Sequence, residues 1–167
     1  MATDKKPVIH ETAYIAPGAV VRGDVTMMEE SSIWHNCTLH GDPQAIVIGT
    51  RSSLQEPCCV HTGWNTPVRI GDDVNIGHLC LIHGCTIEDK VTVGMGTTIM
   101  DGAVIGTGSY IGAGSLVTGN TVIPPNSMAM GRPAKVIRET RPEELEDTIA
   151  SVRFYVEEAK EEKKREQ

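Results

Sequence analysis

The sequence predicts an all-β solenoid, a parallel β-helix of hexapeptide repeats, closed by a C-terminal α-helix. Ile87, Val93, Ile99, Ile105, Ile111, Val117 and Ile123 recur at every sixth residue without a miss. A period of six matches neither strand alternation nor a helix, so each hexad is one short strand plus one turn, its inward aliphatics stacking coil upon coil. The composition agrees: aromatics are only 4% and glycines number 17, which suits a core of Val, Ile and Leu ranks with small or unusually bent corners. Finally, Leu145, Ile149, Val152, Val156 and Ala159 stand at steps of three and four behind Pro142, Glu143 and Glu144. That is an apolar helical stripe with proline and acids in its first turn.

Taken in order, the chain reads as one domain over 1–167, with a β-helix at 8–125, a connecting loop at 126–140 and the helix at 141–163. Ile9, Ile15, Val21, Met27, Ile33 and Leu39 open the array; Ile48, Leu54 and Val60 follow after three extra residues, and Ile70, Ile76 and Ile82 after four more. The step from Ile82 to Ile87 is one residue short. The two insertions predict surface loops, at Gly41 to Ala45 and Thr62 to Pro67, of the kind that often carries a solenoid's working surface. With three hexads per coil, the fourth position after one column of aliphatics holds Ala19, Cys37, Cys58, Cys80, Thr97 and Ser115. All are small, as an inward position beside a corner requires. The pattern stops at Pro124 and Pro125. Thr140 is a candidate helix cap, and the charged end from Glu157 to Gln167 reads as a solvated, frayed helix terminus.

At 167 residues and 40% hydrophobic content the chain can bury a globular core. A net charge of -7 and a pI near 5.3 give no electrostatic footprint for nucleic acid. No apolar run is long enough to span a bilayer, and the first residues lack a signal peptide's hydrophobic region, so the expectation is a soluble, cytoplasmic protein. Five cysteines without a CxxC pair argue against a disulfide framework and a thiolate zinc site, and three of them are accounted for as core filling.

The chemistry lies in the histidines. His61 follows Val60 and His83 follows Ile82, three hexads later, so both imidazoles point outward on adjacent rungs about 4.8 Å apart. His78, two past Ile76, belongs to the preceding column around a corner, where it does not easily join them within one chain, though a neighbouring chain could bring it. Three neutral imidazoles with a position left for water are a known zinc set. The plain alternative is surface histidines with no metal.

Residues Val8 to Ala159 resemble the γ-class carbonic anhydrase family, including its ferripyochelin-binding-like members. The resemblance rests on Ile33-Trp34 ahead of Gly41-Asp42, Gln55 ahead of His61, Ile76-Gly77-His78 with His83-Gly84-Cys85, Gly94-Met95-Gly96, Asp101-Gly102-Ala103 and Gly131-Arg132-Pro133-Ala134-Lys135. It implies a left-handed β-helix, a homotrimer, and a metal at each subunit boundary held by His61 and His83 of one chain and His78 of the next. The metal implied is zinc, with iron(II) or cobalt possible, and the reaction is reversible hydration of carbon dioxide to bicarbonate by a metal-bound hydroxide. By the same carry-over Gln55 addresses the hydroxide or carbon dioxide, Asp42 is an interface acid, and Tyr155 reaches the pocket from the terminal helix.

Three departures keep other readings open. The family's Arg-Gly-Asp is His40-Gly41-Asp42 here, its Asn-x-Gln-Asp is Ser53-Leu54-Gln55-Glu56, and no acidic loop carries proton-shuttling glutamates. A hexapeptide-repeat acyltransferase or thioesterase acting on coenzyme A esters, and a non-catalytic metal-binding, assembly or siderophore-binding protein, are the alternatives. The register adds two expectations. Glu56, one coil before His78 in the same column, is an orienting partner for that ring or for a nearby polar group of the pocket, or else an exposed acid, and His40, one rung below His61, is an interface contact for Asp42, a proton carrier beside the metal, or a surface histidine with neither role.

Overall fold

The computed structural model describes residues 4–166 and shows a parallel β-solenoid of about seven turns with one C-terminal helix. Strand register arranges the aliphatics in three columns. Ile15, Ile33, Leu54, Ile76, Val93 and Ile111 pair in succession, as do Val21, Leu39, Val60, Ile82, Ile99 and Val117. The third column runs Ile9, Met27, Ile48, Ile70, Ile87, Ile105 and Ile123. From Met27 onward every one of these side chains is buried, while Ile9, Ile15 and Val21 are partly open at the N-terminal end. Burying each contributes about 1.5–3 kcal/mol before the entropy of ordering the chain is charged.

The small residues fill the predicted inward rank. Cys37, Cys58, Cys80, Thr97 and Ser115 are buried, and the Cys58 and Cys80 thiols donate to the carbonyls of Gly77 and Gly94 at 3.2 and 3.3 Å. Cys85 is also buried, and Cys59 alone among the five thiols is exposed.

Several expectations need correction. The Gly41 to Ala45 insertion is not a loop: Thr38–Ile48 is one strand that rounds a corner, and its register with Val20–Met27 shifts between Gly23 and Val25, which absorbs the extra residues as a bulge. The Thr62 to Pro67 insertion does lie between strands, Cys59–His61 and Val68–Ile70. Residues 126–140 form an antiparallel hairpin, Ser127–Gly131 with Ala134–Glu139, instead of a loop. Ala129 pairs with Ile111, so the first column continues one hexad past the two prolines. A small alanine in place of a branched aliphatic hid that rung.

The helix spans Pro142–Arg165. Thr140 does not cap it: its hydroxyl donates to the Gly108 carbonyl, and the Glu144 carboxylate instead accepts from the Arg141 amide at 2.8 Å. Its buried residues are Thr148, Val152, Val156 and Ala159. Leu145 is exposed and Ile149 only half-buried, because the Thr148 hydroxyl pairs with Thr92 at 2.8 Å and turns the first two turns toward that rung. The C-terminal end is not simply solvated. The Lys163 ammonium donates to the carbonyls of Glu11 and Ala13 at 2.8 and 2.7 Å, and the Tyr14 hydroxyl donates to Glu166 at 3.1 Å. The helix therefore runs back along the solenoid and straps its last rungs to its first.

Candidate metal centre

Parallel register places His40, His61 and His83 on consecutive rungs, pointing from the same face. Their ring centroids are 5.3 and 5.1 Å apart, and His61 Nδ1 lies 3.1 Å from His83 Nε2. His83 Nδ1 faces a carboxylate oxygen of Asp101 at 2.7 Å, so that nitrogen carries the proton and Nε2 presents a lone pair. Burial first, then the neighbouring rings of His83 and His40, push the His61 pKa down and keep its imidazole neutral. His40 Nε2 is 3.9 Å from Asp42 Oδ2, at the edge of ion-pair range. These groups line one cleft together with Pro43, Thr62, Gly63 and Trp64, the last 80% exposed.

His78 lies around the corner, beyond Asn75–Ile76 of the other sheet. Its Nδ1 faces the Glu56 carbonyl at 2.9 Å and the Glu56 carboxylate at 3.3 Å. That nitrogen is the donor, which leaves Nε2 as the ring's position for a metal. The other Glu56 oxygen is 3.3 Å from His35 Nδ1. Gln55 is buried, and its amide donates to Asn75 Oδ1 at 2.9 Å, to which Ser53 also donates at 3.2 Å. Gln55, His78 and Tyr155 line a second cleft with Asn75, Met95, Tyr110 and Phe154. Tyr155 packs edge-on against Trp34, and burial, then Glu56 and Glu158, raise its pKa, so it remains a phenol.

The sequence-predicted residues thus fall into two groups on different faces. Among the described residues no single-chain cluster of His, Cys, Asp or Glu is arranged to hold a metal ion. What each face offers does fit one. The two ring nitrogens at 3.1 Å approach the separation of about 3.3 Å between ligands on a tetrahedral zinc with bonds of about 2.0–2.1 Å. On both faces the Nδ1 of one ring is already tied to a carboxylate or carbonyl, the arrangement usual for metal-binding histidines.

Sequence reasoning missed Asn75, Asp101 and Trp64. Two had a readable signal: Asn75 precedes Ile76 as Ser53 precedes Leu54, and Asp101, two past Ile99, falls one rung beyond His83. Trp64 sits in an insertion whose path no register dictates.

Residues 84–119 match the profile of the bacterial transferase hexapeptide family, six repeats. The "Probable carbonic anhydrase" of Methanocaldococcus jannaschii is 53% identical over 149 residues, covering 89% of this chain and 94% of that one. The mitochondrial gamma carbonic anhydrase 2 of Arabidopsis thaliana is 40% identical over 92% of this chain, which spans 57% of the plant protein's length. A Bacillus cereus crystal structure solved under an acetyltransferase label superposes with a TM-score of 0.95 at 44% identity, covering 96% of this chain and 94% of that one. The winding is the left-handed one of the hexapeptide-repeat β-helix.

Proposed function

This chain belongs to the γ-class carbonic anhydrase family, and from that premise we propose that it catalyses the reversible hydration of carbon dioxide to bicarbonate. The site is completed between subunits of a homotrimer. The observation that carries this reading is the division of the histidines. His61 and His83 stand ready on one face and His78 on another, each of the last two with its Nδ1 proton committed elsewhere.

In the assembled site His61 and His83 of one subunit and the partner subunit's His78 would hold a divalent cation, with zinc first and iron(II) or cobalt in its place. Such a cation supplies Lewis acidity that brings a water's pKa to about 7. Gln55 is fixed by Asn75, which aims its amide at the substrate instead of leaving it to rotate. Tyr155, as a neutral phenol, donates a hydrogen bond at the rim. Glu56 orients His78, and His40 with Asp42 makes a contact at the subunit boundary. No helix of the described residues is long and apolar enough to cross a membrane, and the reading includes a cytoplasmic setting.

Stopped-flow hydration of carbon dioxide tests the activity directly. Protein loaded with zinc, cobalt or iron(II) accelerates bicarbonate formation at pH 8, and His83→Ala removes that acceleration. If the loaded protein leaves carbon dioxide untouched and instead releases thiol from an acyl-coenzyme A ester, the acyl-transfer reading replaces this one.

A further inference from the structure

Resting on that reading, we propose that Asp101 is the positioning residue of His83, and that with Thr66 it also ties the 62–67 insertion to the metal centre. Asp101 comes from the rung beyond His83, and its Oδ1 accepts from His83 Nδ1 at 2.7 Å and from the Thr66 hydroxyl at 3.1 Å. One carboxylate oxygen thus meets two donors from different segments.

The backbone is shaped around this contact. Gly84, at φ +50°, and Gly63 each lie so close that a Cβ on either would collide with Asp101 Oδ1 and Thr66 Oγ1. The Gly84 amide donates to the His61 carbonyl and the Gly102 amide to the Gly84 carbonyl, both at 2.8–3.0 Å, so three rungs are locked in register at this point. Gly63 and Thr66 close the insertion through a 3.0 Å backbone bond, and Gln44 reaches the Trp64 carbonyl at 2.8 Å.

The consequence for His83 is chemical. A neutral imidazole exchanges freely between two tautomers, and only the Nδ1–H form offers Nε2 to a metal on the His61 side. The carboxylate selects that form, and its charge makes Nε2 a better donor. Thr66 keeps the carboxylate turned toward the ring.

Tautomer and affinity separate positioning from mere packing. In full-length protein labelled at histidine nitrogens and kept metal-free, long-range proton–nitrogen spectra near pH 8 should show His83 as Nδ1–H. Asp101→Ala should convert it to a mixture or to Nε2–H, and should weaken zinc binding 10- to 100-fold in competition with a chromophoric chelator. Asp101→Asn, which keeps the shape and an accepting oxygen, should preserve the tautomer and lose only part of the affinity. His83 remaining Nδ1–H in Asp101→Ala, or unchanged zinc affinity there, overturns the proposal. Should Asp101→Ala not fold, Thr66→Val serves: it must weaken zinc binding and mobilise Trp64 fluorescence, and an unaltered variant is equally fatal. If the parent binds no zinc at all, the metal reading fails, while the metal-free tautomer still decides what Asp101 does.

Discussion

His61 and His83 take their positions from strand register, whereas His78 takes its position from a corner beneath the terminal helix. On the first face each ring follows a fully buried aliphatic, Val60 or Ile82, and the two strands pair residue for residue. On the second, His78 lies beyond the end of a two-residue strand, braced by Glu56, and the cleft it enters is half built from helix residues. The ladder face is therefore as rigid as the core. The corner face is only as well defined as the docking of the helix.

The largest contrast is expected beneath the two faces. Ile82→Ala opens a cavity in the stacked core and should cost about 2–5 kcal/mol of unfolding free energy, read by urea titration. Val152→Ala, under the helix, should cost about 2 kcal/mol or less and should loosen the helix first, with Tyr155 becoming more accessible before the coils unfold. Equal costs, or a single transition by helix and strand probes in both, would erase the distinction between the faces.

A smaller effect belongs to Glu56. Its carboxylate and its carbonyl both face His78 Nδ1, at 3.3 and 2.9 Å, and Glu56→Gln keeps the carbonyl. Metal affinity should fall about tenfold, the lower end for loss of such a partner. An unchanged affinity in chelator competition would leave Glu56 as a plain surface acid.

The smallest effect lies at the helix start. Arg138, then the Arg141 amide, hold the Glu144 carboxyl down at about 2 from an ordinary 4.5. Because the folded-state pKa is the lower one, this stabilisation is present above pH 4.5 and is lost as pH falls toward 2. Helix ellipticity of Arg138→Ala should therefore lie slightly below the parent at pH 6 and converge with it near pH 2. A gap that persists in acid would assign the effect to packing.

How far the sequence could be read follows the same division. Wherever hexads repeat, position fixes both face and rung, so the three columns, the buried thiols and the His40, His61, His83 ladder were legible from spacing alone. Register fails where side chains lose their bulk, as at Ala129, or where extra residues enter, as at Asp42 to Ala45. The helix was legible as an amphipathic segment, but its facing was set by one polar pair, Thr92 with Thr148, which no apolar stripe reveals. His78 could be placed in its column, yet Glu56 beside it was found only because two rungs of the same column stack. Trp64, held by Gln44 through a backbone carbonyl, left no periodic trace.

The central claim is that these two faces close on one metal between subunits, and mixing complementary variants tests it most directly. His78→Ala lacks the corner face and His61→Ala lacks the ladder face, so each alone should hold little metal while remaining folded. Dissociated together at equal concentration and reassembled, every mixed trimer contains one boundary with both faces intact, and metal content should return to about a quarter of the parent's. No recovery on mixing, or a lone variant binding as the parent does, would contradict a site shared between chains.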